Sequence, residues 1–571
     1  MDDSASSKAD NNDSSASKSV GDVEIDNSAT VLHKIAALYN DNLMSDITLV
    51  VGGTQYPAHR LILCASSEVF QVMLMNPEWS ESQESCVVLQ ETPACAAIFG
   101  NFLRYFYTGQ IRINHLIVMP VLALADKYNV KDLVKLCIEY MCEHIAHAAA
   151  NNQLISWLQY TLTCGHYKVA QVCQNFVKWN LELVAETTDF GNFEPEILVS
   201  LLQQNDLVVH NEMTLYSCVV KWLDLQKERL SQDSSNKSED IDAHMEQLVV
   251  EVMSHVRFPM MSPRQLAELL LAPLTKMYKE FFVERMAIGM SFHSGQTERV
   301  QEVLQTEEGK LLFTPRLYTA DTWSTLLSVE NFPLLPAYHT RTLVFSSRSS
   351  LAEHAGDLAC EWVVDVYPKG VWFRKFYLIV WQGTVEVPES VSRTVRLSVM
   401  CRDPPPSGHT RVKVGILIRG IQDGVEHIRT VIERIHHFGE SDKVLNFDDL
   451  LSFDELNFAP AVTPGGDAHS PYLVGHKRDV FKLHIVIAPL SDILSFLKSQ
   501  GYYSSSVIKA YTNKYCHVSN LVMLNLYREQ NYFVMDGSCQ QTEALVVTVV
   551  LTNKSPNEVV KVNVATIFRT S

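Results

Sequence analysis

The chain has 571 residues, and its 47 basic and 65 acidic side chains give a formal net charge of −18. This length predicts three to five domains, since a domain commonly spans about 100–200 residues. The negative charge excludes a broad nucleic-acid-binding surface, which requires clustered Lys and Arg. The sequence contains no run of 18 or more apolar residues, so we expect no membrane span.

The twelve cysteines are scattered through apolar segments and form no CxxC pair, which is typical of reduced thiols in a protein core. The chain begins Met-Asp-Asp-Ser, with neither a basic start nor an apolar stretch, so we expect no signal peptide. The predicted compartment is therefore the cytoplasm. The alternative is an extracellular location, if a leader is missing from this sequence.

The first part of the chain changes from polar to helical. Residues 1–30 are rich in Ser, Asp, Asn and Lys, and we predict a disordered acidic tail because they cannot bury enough apolar surface. The segment VLHKIAALYNDNL then predicts an amphipathic helix with Val31, Ile35 and Leu38 on its apolar face. Further helices are expected over 94–107, 118–128 and 131–144.

From residue 300 onward, the pattern changes to short β-branched or aromatic segments that are bounded by turn residues. These segments predict an all-β region, and a helical half followed by a β half implies separate domains. The strands are expected over 363–367, 376–381, 394–400, 412–418, 481–487 and 544–551.

Residues 45–107 resemble a BTB/POZ domain. SDITLVV at 45–51, YPAHRLILCASSEVF at 56–70 and FYTG at 106–109 match the strand, helix and turn of that family in order and spacing. Gly52-Gly53 is typical of a hairpin turn. His59 opens a helix in which Leu61, Cys64, Ala65 and Phe70 can face a core. We predict a BTB/POZ domain over 31–144.

Two further resemblances follow. VHNE at 209–212 with VKWL at 220–223, and VRFPMMS at 256–262, resemble a BACK domain, predicted over 145–300. EWVVDVYPKG at 361–370 resembles a strand and turn of TRAF/MATH sandwiches, and we predict such a β-domain over 315–571. This last segment is longer than one ordinary sandwich, so insertions or a second β-unit must be present.

The predicted fold class is therefore multidomain: an α+β BTB/POZ domain, an all-α BACK domain and a C-terminal all-β TRAF/MATH-like sandwich. The BTB resemblance implies a homodimer, with Val31, Ile35 and Leu38 as interface candidates. Asp46 and Arg60 stand where the family carries an acidic–basic pair near that interface. The alternative is that Asp46 caps the end of a strand and Arg60 is solvated.

The same resemblance implies docking to a cullin-3 scaffold through a hydrophobic–x–Glu motif. Trp79, Ser80 and Glu81 fit this motif, and Tyr128 is expected near the same face. A large aromatic residue is a suitable anchor for a pocket on a protein partner. The alternative is that Trp79 covers the domain's own core and Glu81 is solvated.

The TRAF/MATH resemblance implies capture of an unknown protein substrate along one sheet. The peptide-binding residues are unknown from the sequence, because alternate side chains of a strand point inward as core. This applies to a dense group of aromatic residues, namely Tyr367, Trp372, Phe373, Phe376, Tyr377 and Trp381.

No catalytic motif is present, so we expect no enzyme, no cofactor and no metal site. Cys137, Cys142 and His144 lack the fourth ligand and the spacing of a zinc site. The favoured function is a dimeric adaptor that acts as a substrate receptor of a cullin-3 ubiquitin ligase. The alternative is a secreted or structural oligomeric scaffold, like the galectin-3-binding proteins. A transcription regulator is disfavoured, since zinc fingers and basic tracts are absent.

Overall fold

The chain forms two compact units, Met1–Leu490 and Ser491–Ser571. The predicted tail up to residue 25 and the predicted strand over 376–381 lie outside the residues that the structure describes, as do Trp372, Phe373, Phe376, Tyr377 and Trp381. The computed structural model describes residues 26–232, 238–353, 359–371, 392–403, 410–458 and 469–490, and the backbone of strands at 524–527, 544–552, 559–563 and 567–568.

The first part of the chain is an α+β domain built on a three-stranded sheet. Gly52 and Gly53 both have positive φ, 56° and 81°, and they close the predicted hairpin because glycine adopts such angles without strain. The central strand pairs antiparallel with the second strand and parallel with the third. The elements are β1 (Ile47–Val51), β2 (Thr54–Ala58), β3 (Cys86–Leu89), α1 (Ser28–Asp41), α2 (Arg60–Ser66), α3 (Glu68–Met75), α4 (Pro93–Thr108), α5 (Val118–Lys127) and α6 (Lys131–Glu143).

The next part of the chain is almost entirely helical and continues the core of the first domain. One apolar cluster extends from Leu49 and Phe99 through Trp157 to Trp222 and Phe282, so the two domains share a single core. The elements are α7 (Ile145–Ala150), α8 (Leu154–Thr163), α9 (Tyr167–Trp179), α10 (Leu181–Ala185), α11 (Pro195–Leu202), β4 (Val208–Val209), α12 (Glu212–Gln232), α13 (Ser238–Met253), α14 (Pro263–Leu269), α15 (Pro273–Met277), α16 (Lys279–His293), α17 (Thr297–Leu304) and α18 (Glu307–Leu312).

The third part is a β-sandwich with its own core, which includes Trp362, Val414 and Phe481. The indole N–H of Trp362 donates to Ser347 Oγ at 2.9 Å, so this buried polar group is satisfied. The elements are β5 (Leu317–Tyr318), β6 (Ser324–Val329), β7 (Arg341–Arg348), β8 (Ala359–Tyr367), β9 (Arg396–Cys401), β10 (Thr410–Gln422), β11 (Val425–Phe438), β12 (Val444–Phe447), α19 (Phe453–Asn457), β13 (Leu473–Val474) and β14 (Val480–Pro489).

Two antiparallel sheets face each other in this sandwich. One sheet has the order β11-β10-β14-β13, with β6 also paired to β14, and the other has the order β12-β9-β8-β7. The predicted strands at 363–367, 412–418 and 481–487 are confirmed within β8, β10 and β14. The second unit contains its own antiparallel strands β15 (Leu524–Tyr527), β16 (Ala544–Thr552), β17 (Val559–Asn563) and β18 (Ile567–Phe568).

A buried carboxylate joins the helical domain to the sandwich. Glu212 opens α12 and is 1% exposed. Its Oε1 accepts hydrogen bonds from Arg316 Nε at 2.7 Å and from the Tyr318 hydroxyl at 2.8 Å, and its Oε2 accepts from the backbone N–H of Arg257 at 3.1 Å. The parallel pair β4–β5 runs beside these contacts. Glu212 of the helical domain therefore neutralises the buried guanidinium of Arg316, which belongs to the sandwich domain.

Lys413 adds a second contact between the same domains. Its Nζ donates to the carbonyl oxygens of Asn205 at 2.9 Å and Pro315 at 3.1 Å. Burial lowers the pKa of Lys413 to about 8, although Glu433 at 3.8 Å opposes this shift. The ammonium therefore holds three segments together: the end of the α11 region, the connection that precedes β5, and β10.

The β10–β11 hairpin reaches the junction between the first two domains. Asp423 Oδ2 lies 2.9 Å from His144 Nδ1, and Gln422 accepts a hydrogen bond from the backbone N–H of Ala146 at 3.1 Å. The Gln422 amide also donates to the carbonyl of Glu143. The tip of the hairpin thus contacts the end of α6 and the start of α7.

The buried ion pair gives the first prediction. Replacement of Glu212 by Gln leaves Arg316 buried without an anion, and breaking a buried pair in this way costs about 3–5 kcal/mol. We expect a marked loss of thermal stability, measured by differential scanning calorimetry of the full chain. Lys131→Met removes an ion pair with Glu68 whose side chains are 70% and 60% exposed, and it should change stability by less than about 1 kcal/mol. A Glu212→Gln protein as stable as Lys131→Met would contradict this prediction.

The second prediction concerns pH. His484 Nε2 lies 3.1 Å from Ser324 Oγ, and burial, helped by Arg419 and His210 and opposed by Asp321, lowers the pKa of His484 to about 4. The unfolded chain binds this proton near pH 6.5, so stability is present above pH 6.5 and is lost as the pH falls towards 4. We expect His484→Gln to flatten the melting temperature against pH between 6.5 and 4, by an amount equivalent to about 2–3 kcal/mol. Identical slopes in the two proteins would refute this assignment.

Candidate protein-interaction surfaces

One face of α3 exposes apolar side chains in a row. Val69, Val72 and Met75 follow each other at intervals of three residues and are 36%, 52% and 64% exposed. Trp79 follows the helix and is 47% exposed. We call these four residues the α3 stripe. Trp79 therefore presents about half of its side chain to solvent instead of filling the domain's own core.

The residues after Trp79 form a 3-10 turn, Ser80–Ser82. The Ser82 hydroxyl donates to the carbonyl oxygen of Trp79 at 2.8 Å, and the Ser80 hydroxyl donates to Glu81 Oε2 at 2.9 Å. The half-buried Glu81 thus follows Trp79 by two residues within this hydrogen-bonded turn. An apolar anchor with an adjacent carboxylate suits a partner surface that combines a pocket and a basic residue.

Arg60 holds the segment that carries this turn. Its guanidinium donates to the carbonyl oxygens of Leu74 at 3.2 Å and Glu81 at 3.5 Å, and also to that of Glu84. Asp46 Oδ1 accepts from the backbone N–H of Arg60 at 2.8 Å and so caps the start of α2. The expected pair between the Asp46 and Arg60 side chains does not form. The Arg60 guanidinium binds carbonyl oxygens instead, and the Asp46 carboxylate binds the backbone N–H of Arg60.

Tyr128 lies beneath the surface. It is 2% exposed, stacks on Phe70 with ring centroids 4.6 Å apart, and donates its hydroxyl to Glu91 Oε1 at 2.6 Å. Burial and the Glu91 carboxylate raise the pKa of Tyr128. The expectation that Tyr128 contributes to a docking face is therefore wrong for its side chain, which supports α3 from below.

A second exposed apolar area lies around α1 and the start of α2. Ile35 and Leu38 are half-buried, and Ile35 packs against the core of its own domain, so part of the predicted apolar face is already covered. Exposed side chains remain on α1, on the segment that follows it and on α2. We call these residues the α1–α2 patch: Val31 (51% exposed), Leu32 (54%), Leu43 (54%), Met44 (86%) and Leu61 (78%).

His59, which directly precedes α2, contacts the segment after α1 that carries part of this patch. Its Nε2 lies 2.6 Å from the carbonyl oxygen of Leu43, and its Nδ1 lies 2.9 Å from the hydroxyl of the buried Tyr107. Burial raises the pKa of Tyr107 to about 12. The expectation that Leu61 faces the core was wrong, since this residue follows the helix start on the solvent side and Leu63 takes the buried position.

Within the described residues, the two sheets of the sandwich differ in what covers their outer faces. The outer face of the sheet that contains β10 and β14 packs on the helical domain, where Leu417 and Val486 contact Val208 and Leu317. The other sheet carries an apolar row across four strands on its outer face. We call it the cross-strand row: Val344, Val363, Met400 and Val444, which are direct register partners.

The cross-strand row is apolar, and an acidic residue lies in the row next to it. Val344 and Val444 are 47% and 39% exposed, whereas Val363 between them is 8% exposed. Asp365 lies in the neighbouring polar row, where Thr342 donates its hydroxyl to Asp365 Oδ1 at 2.5 Å. This surface suits an extended segment that places an apolar residue beside a basic one.

The described residues provide neither a cluster of metal ligands nor a helix that could span a membrane. No group of three or more His, Cys, Asp and Glu side chains in this part of the chain is placed to hold a metal ion. Within the same residues, none of the helices has both the length and the apolar character needed to cross a membrane.

Comparison with known proteins agrees with the three-part architecture. The model of the BTB/POZ domain matches residues 35–145, that of the BACK domain (BTB And C-terminal Kelch) matches 154–236, and that of the BTBD17 TRAF domain matches 313–491. The chain is thus a BTB/POZ–BACK protein with a C-terminal TRAF domain, and these domains are protein-interaction modules. The predicted fold class is confirmed.

Among individual proteins, the chain is similar to BTB/POZ domain-containing protein 17. It is 28% identical to the Xenopus laevis protein over 345 residues, which cover 59% of this chain and 67% of that protein. It is 28% identical to the human protein over 353 residues, or 60% and 67% of the two chains. The mouse galectin-3-binding protein is 24% identical over 307 residues, or 53% of this chain and 50% of that protein.

The role of Arg60 can be tested directly. Arg60→Met removes the hydrogen bonds to the carbonyl oxygens of Leu74, Glu81 and Glu84, so the segment over 76–85 should open more readily. We expect faster amide hydrogen exchange in this segment and a loss of about 1–3 kcal/mol in stability. Arg112→Met, at an exposed position of the same domain, is the matched control. Unchanged exchange over 76–85 would show that Arg60 does not position the turn.

Proposed function

We propose that this protein is a dimeric adaptor that acts as a substrate receptor of a cullin-3 ubiquitin ligase in the cytoplasm. The α3 stripe carries this proposal, because it exposes four apolar side chains beside Glu81 on a segment that Arg60 holds in place. An aromatic anchor surrounded by smaller apolar contacts is the composition of an interaction hot spot. The adaptor would contribute binding, and its partners would contribute the chemistry.

Dimerisation is proposed through the α1–α2 patch. Its five residues are each more than half exposed, and a single chain leaves them in water. A two-fold symmetric contact brings the same patch of two chains together and covers it. Asp46 and Arg60 then act beside the contact, by fixing the start of α2 and the loop that follows α3.

The β-sandwich is proposed to recruit the substrate through the sheet that contains the cross-strand row. Part of the outer face of the opposite sheet already packs on the BACK domain. The apolar row with Asp365 beside it favours a substrate segment that carries an apolar residue and a basic residue two positions away, since residues i and i+2 of a strand share a face. The identity of the substrate does not follow from these contacts.

A second candidate function rests on the similarity to galectin-3-binding protein. A secreted scaffold would use the α1–α2 patch for assembly and would have no ligase role. Proximity labelling in cells, with the full chain and with a variant that lacks the cross-strand row (Val344→Asp with Val444→Asp), distinguishes the two functions. If both proteins label cullin-3 and the variant loses a set of substrates, the result supports the adaptor. If only extracellular proteins are labelled, the result supports the scaffold.

The docking proposal predicts a loss of cullin-3 binding. Trp79→Ala combined with Glu81→Ala removes the anchor and the carboxylate, and loss of a hot spot costs about 2–4 kcal/mol. We expect the affinity for purified cullin-3 to fall by at least about thirtyfold, measured by isothermal titration calorimetry.

The matched control for this experiment is Leu271→Ala, which removes a 74% exposed leucine from the helical domain. It should bind cullin-3 as the unmodified protein does. Wild-type affinity of the Trp79→Ala, Glu81→Ala protein would refute the proposed docking motif, whereas absence of binding in every protein, the unmodified chain included, would remove the ligase function itself.

The dimer proposal predicts a change of mass in solution. Met44→Glu and Leu61→Glu place charges in the centre of the α1–α2 patch, where a dimer contact would bury them without partners. We expect the unmodified chain to have the mass of a dimer in multi-angle light scattering and the double variant to have the mass of a monomer. Val283→Glu, at a 43% exposed position of α16, should remain dimeric. A monomeric unmodified chain at micromolar concentration would contradict the proposal.

A further inference from the structure

A cavity of about 240 Å³ lies in the helical part of the chain, lined by residues between Leu202 and Leu312 that belong to none of the three surfaces described above. Its walls come from the end of α13, from α16 and from the segment that links α17 to α18. By volume it has room for several water molecules, since water occupies about 30 Å³ each in the liquid. Its polar lining includes Ser254, His255, Arg257, Arg285, Thr306 and Glu308.

The guanidinium groups around this cavity exceed the carboxylates that could neutralise them. Arg257 is 1% exposed, and its guanidinium donates to the oxygens of Thr314, Gln203, Gln204 and Asn205, all of which are uncharged. The buried Glu212 carboxylate is already paired with Arg316 at 2.7 Å. The charge of Arg257 therefore has no carboxylate of its own.

Arg285 adds a second cation on the wall of the cavity. Its guanidinium lies over the ring of Phe281, 5.3 Å from the centroid, and within the described residues it forms no ion pair. Burial is the main cause that lowers the pKa of His255, which Glu308 and Glu251 raise and Arg316 and Arg285 lower. Burial, followed by the neighbouring Arg316, also lowers the pKa of Arg257. The two guanidinium groups themselves therefore favour an anion here, since Arg257 has only uncharged hydrogen-bond acceptors among the described residues.

We propose that this cavity binds a small phosphate-bearing ligand, with the Arg285 guanidinium as its main contact and Arg257 as a buried charge behind it. Guanidinium groups form paired, charge-assisted hydrogen bonds with phosphate oxygens. The hydroxyls of Ser254 and Thr306 lie on the same walls but already donate to the carbonyl oxygens of Glu251 and Val303, so the guanidinium groups carry the recognition. Such a ligand would join α13 and α16 to the segment that leads into the sandwich. The site is independent of cullin docking and of dimerisation.

Substitution of Glu308 tests whether the cavity prefers a negatively charged ligand. Its exposed carboxylate stands at the cavity wall and repels an anion, so Glu308→Gln should strengthen phosphate binding. Arg285→Gln should weaken it about tenfold or more, the loss expected for hydrogen bonds to a charged group. A general effect of phosphate on the protein surface would respond to neither substitution in this way.

The experiment measures the melting temperature of the full chain in inorganic phosphate, in ribose 5-phosphate and in sodium chloride of equal ionic strength. For ligand at about tenfold excess over its dissociation constant, we expect a rise of about 2 °C over chloride. Arg285→Gln should lose this rise, Glu308→Gln should reach it at lower concentration, and Arg264→Gln should retain it, because the Arg264 side chain is 90% exposed and pairs only along α14.

Hydrogen exchange provides the second readout, because bound phosphate should slow the amides of residues 303–312 in the unmodified chain and not in Arg285→Gln. A larger effect of ribose 5-phosphate than of phosphate identifies a phosphomonoester as the ligand, and the reverse identifies the free ion. The proposal fails if neither compound exceeds chloride, or if Arg285→Gln responds as the unmodified protein does.

Discussion

The buried carboxylate of Glu212 determines how the domains of this protein fit together. It is the first residue of a BACK helix, yet the groups that it binds through Oε1 belong to Arg316 and Tyr318 of the sandwich. A buried ion pair adds little net stability, because desolvation offsets the attraction, but it fixes geometry, since no other arrangement satisfies both charges. Lys413 and the β4–β5 pair continue the same contact, so the sandwich has one position on the BACK domain.

This fixed position determines which surfaces remain for partners. One sheet of the sandwich packs part of its outer face on the helical domain, and the other sheet exposes Val344 and Val444 of the cross-strand row. On the BTB domain, the α3 stripe and the α1–α2 patch lie on either side of Arg60, which belongs to α2 and holds the loop after α3. The three surfaces therefore belong to one compact unit, Met1–Leu490.

The architecture was predictable from the sequence to a large extent, and the side-chain roles were not. The alternation of Val363–Tyr367 and the glycines at 52 and 53 depend on local chemistry, so the strand and the hairpin could be predicted. Asp46 and Arg60 were assigned to each other because they stand where the BTB family carries an acidic–basic pair, whereas the structure uses a backbone N–H and carbonyl oxygens that no sequence pattern displays. Tyr128 was misplaced because an aromatic residue fits a core and a surface equally well.

The contacts between domains were beyond prediction for a related reason. Glu212 and Arg316 are separated by 104 residues, and nothing in the sequence near either residue indicates its partner. The cross-strand row likewise depends on the register of four strands, which follows from the assembled sheet and not from any one segment. The sequence did contain a signal for the α3 stripe, namely the spacing of three residues between Val69, Val72 and Met75. The docking motif predicted at Trp79 did not include these residues.

The pairing of Glu212 with Arg316 also limits how such domains can be recombined during evolution. A TRAF domain that begins at residue 313 brings a guanidinium with it and leaves the matching carboxylate behind in the BACK domain. Transfer of this sandwich to another helical scaffold would succeed only where an acidic residue already stood at the start of the corresponding helix. The two domains are thus inherited most easily as a pair.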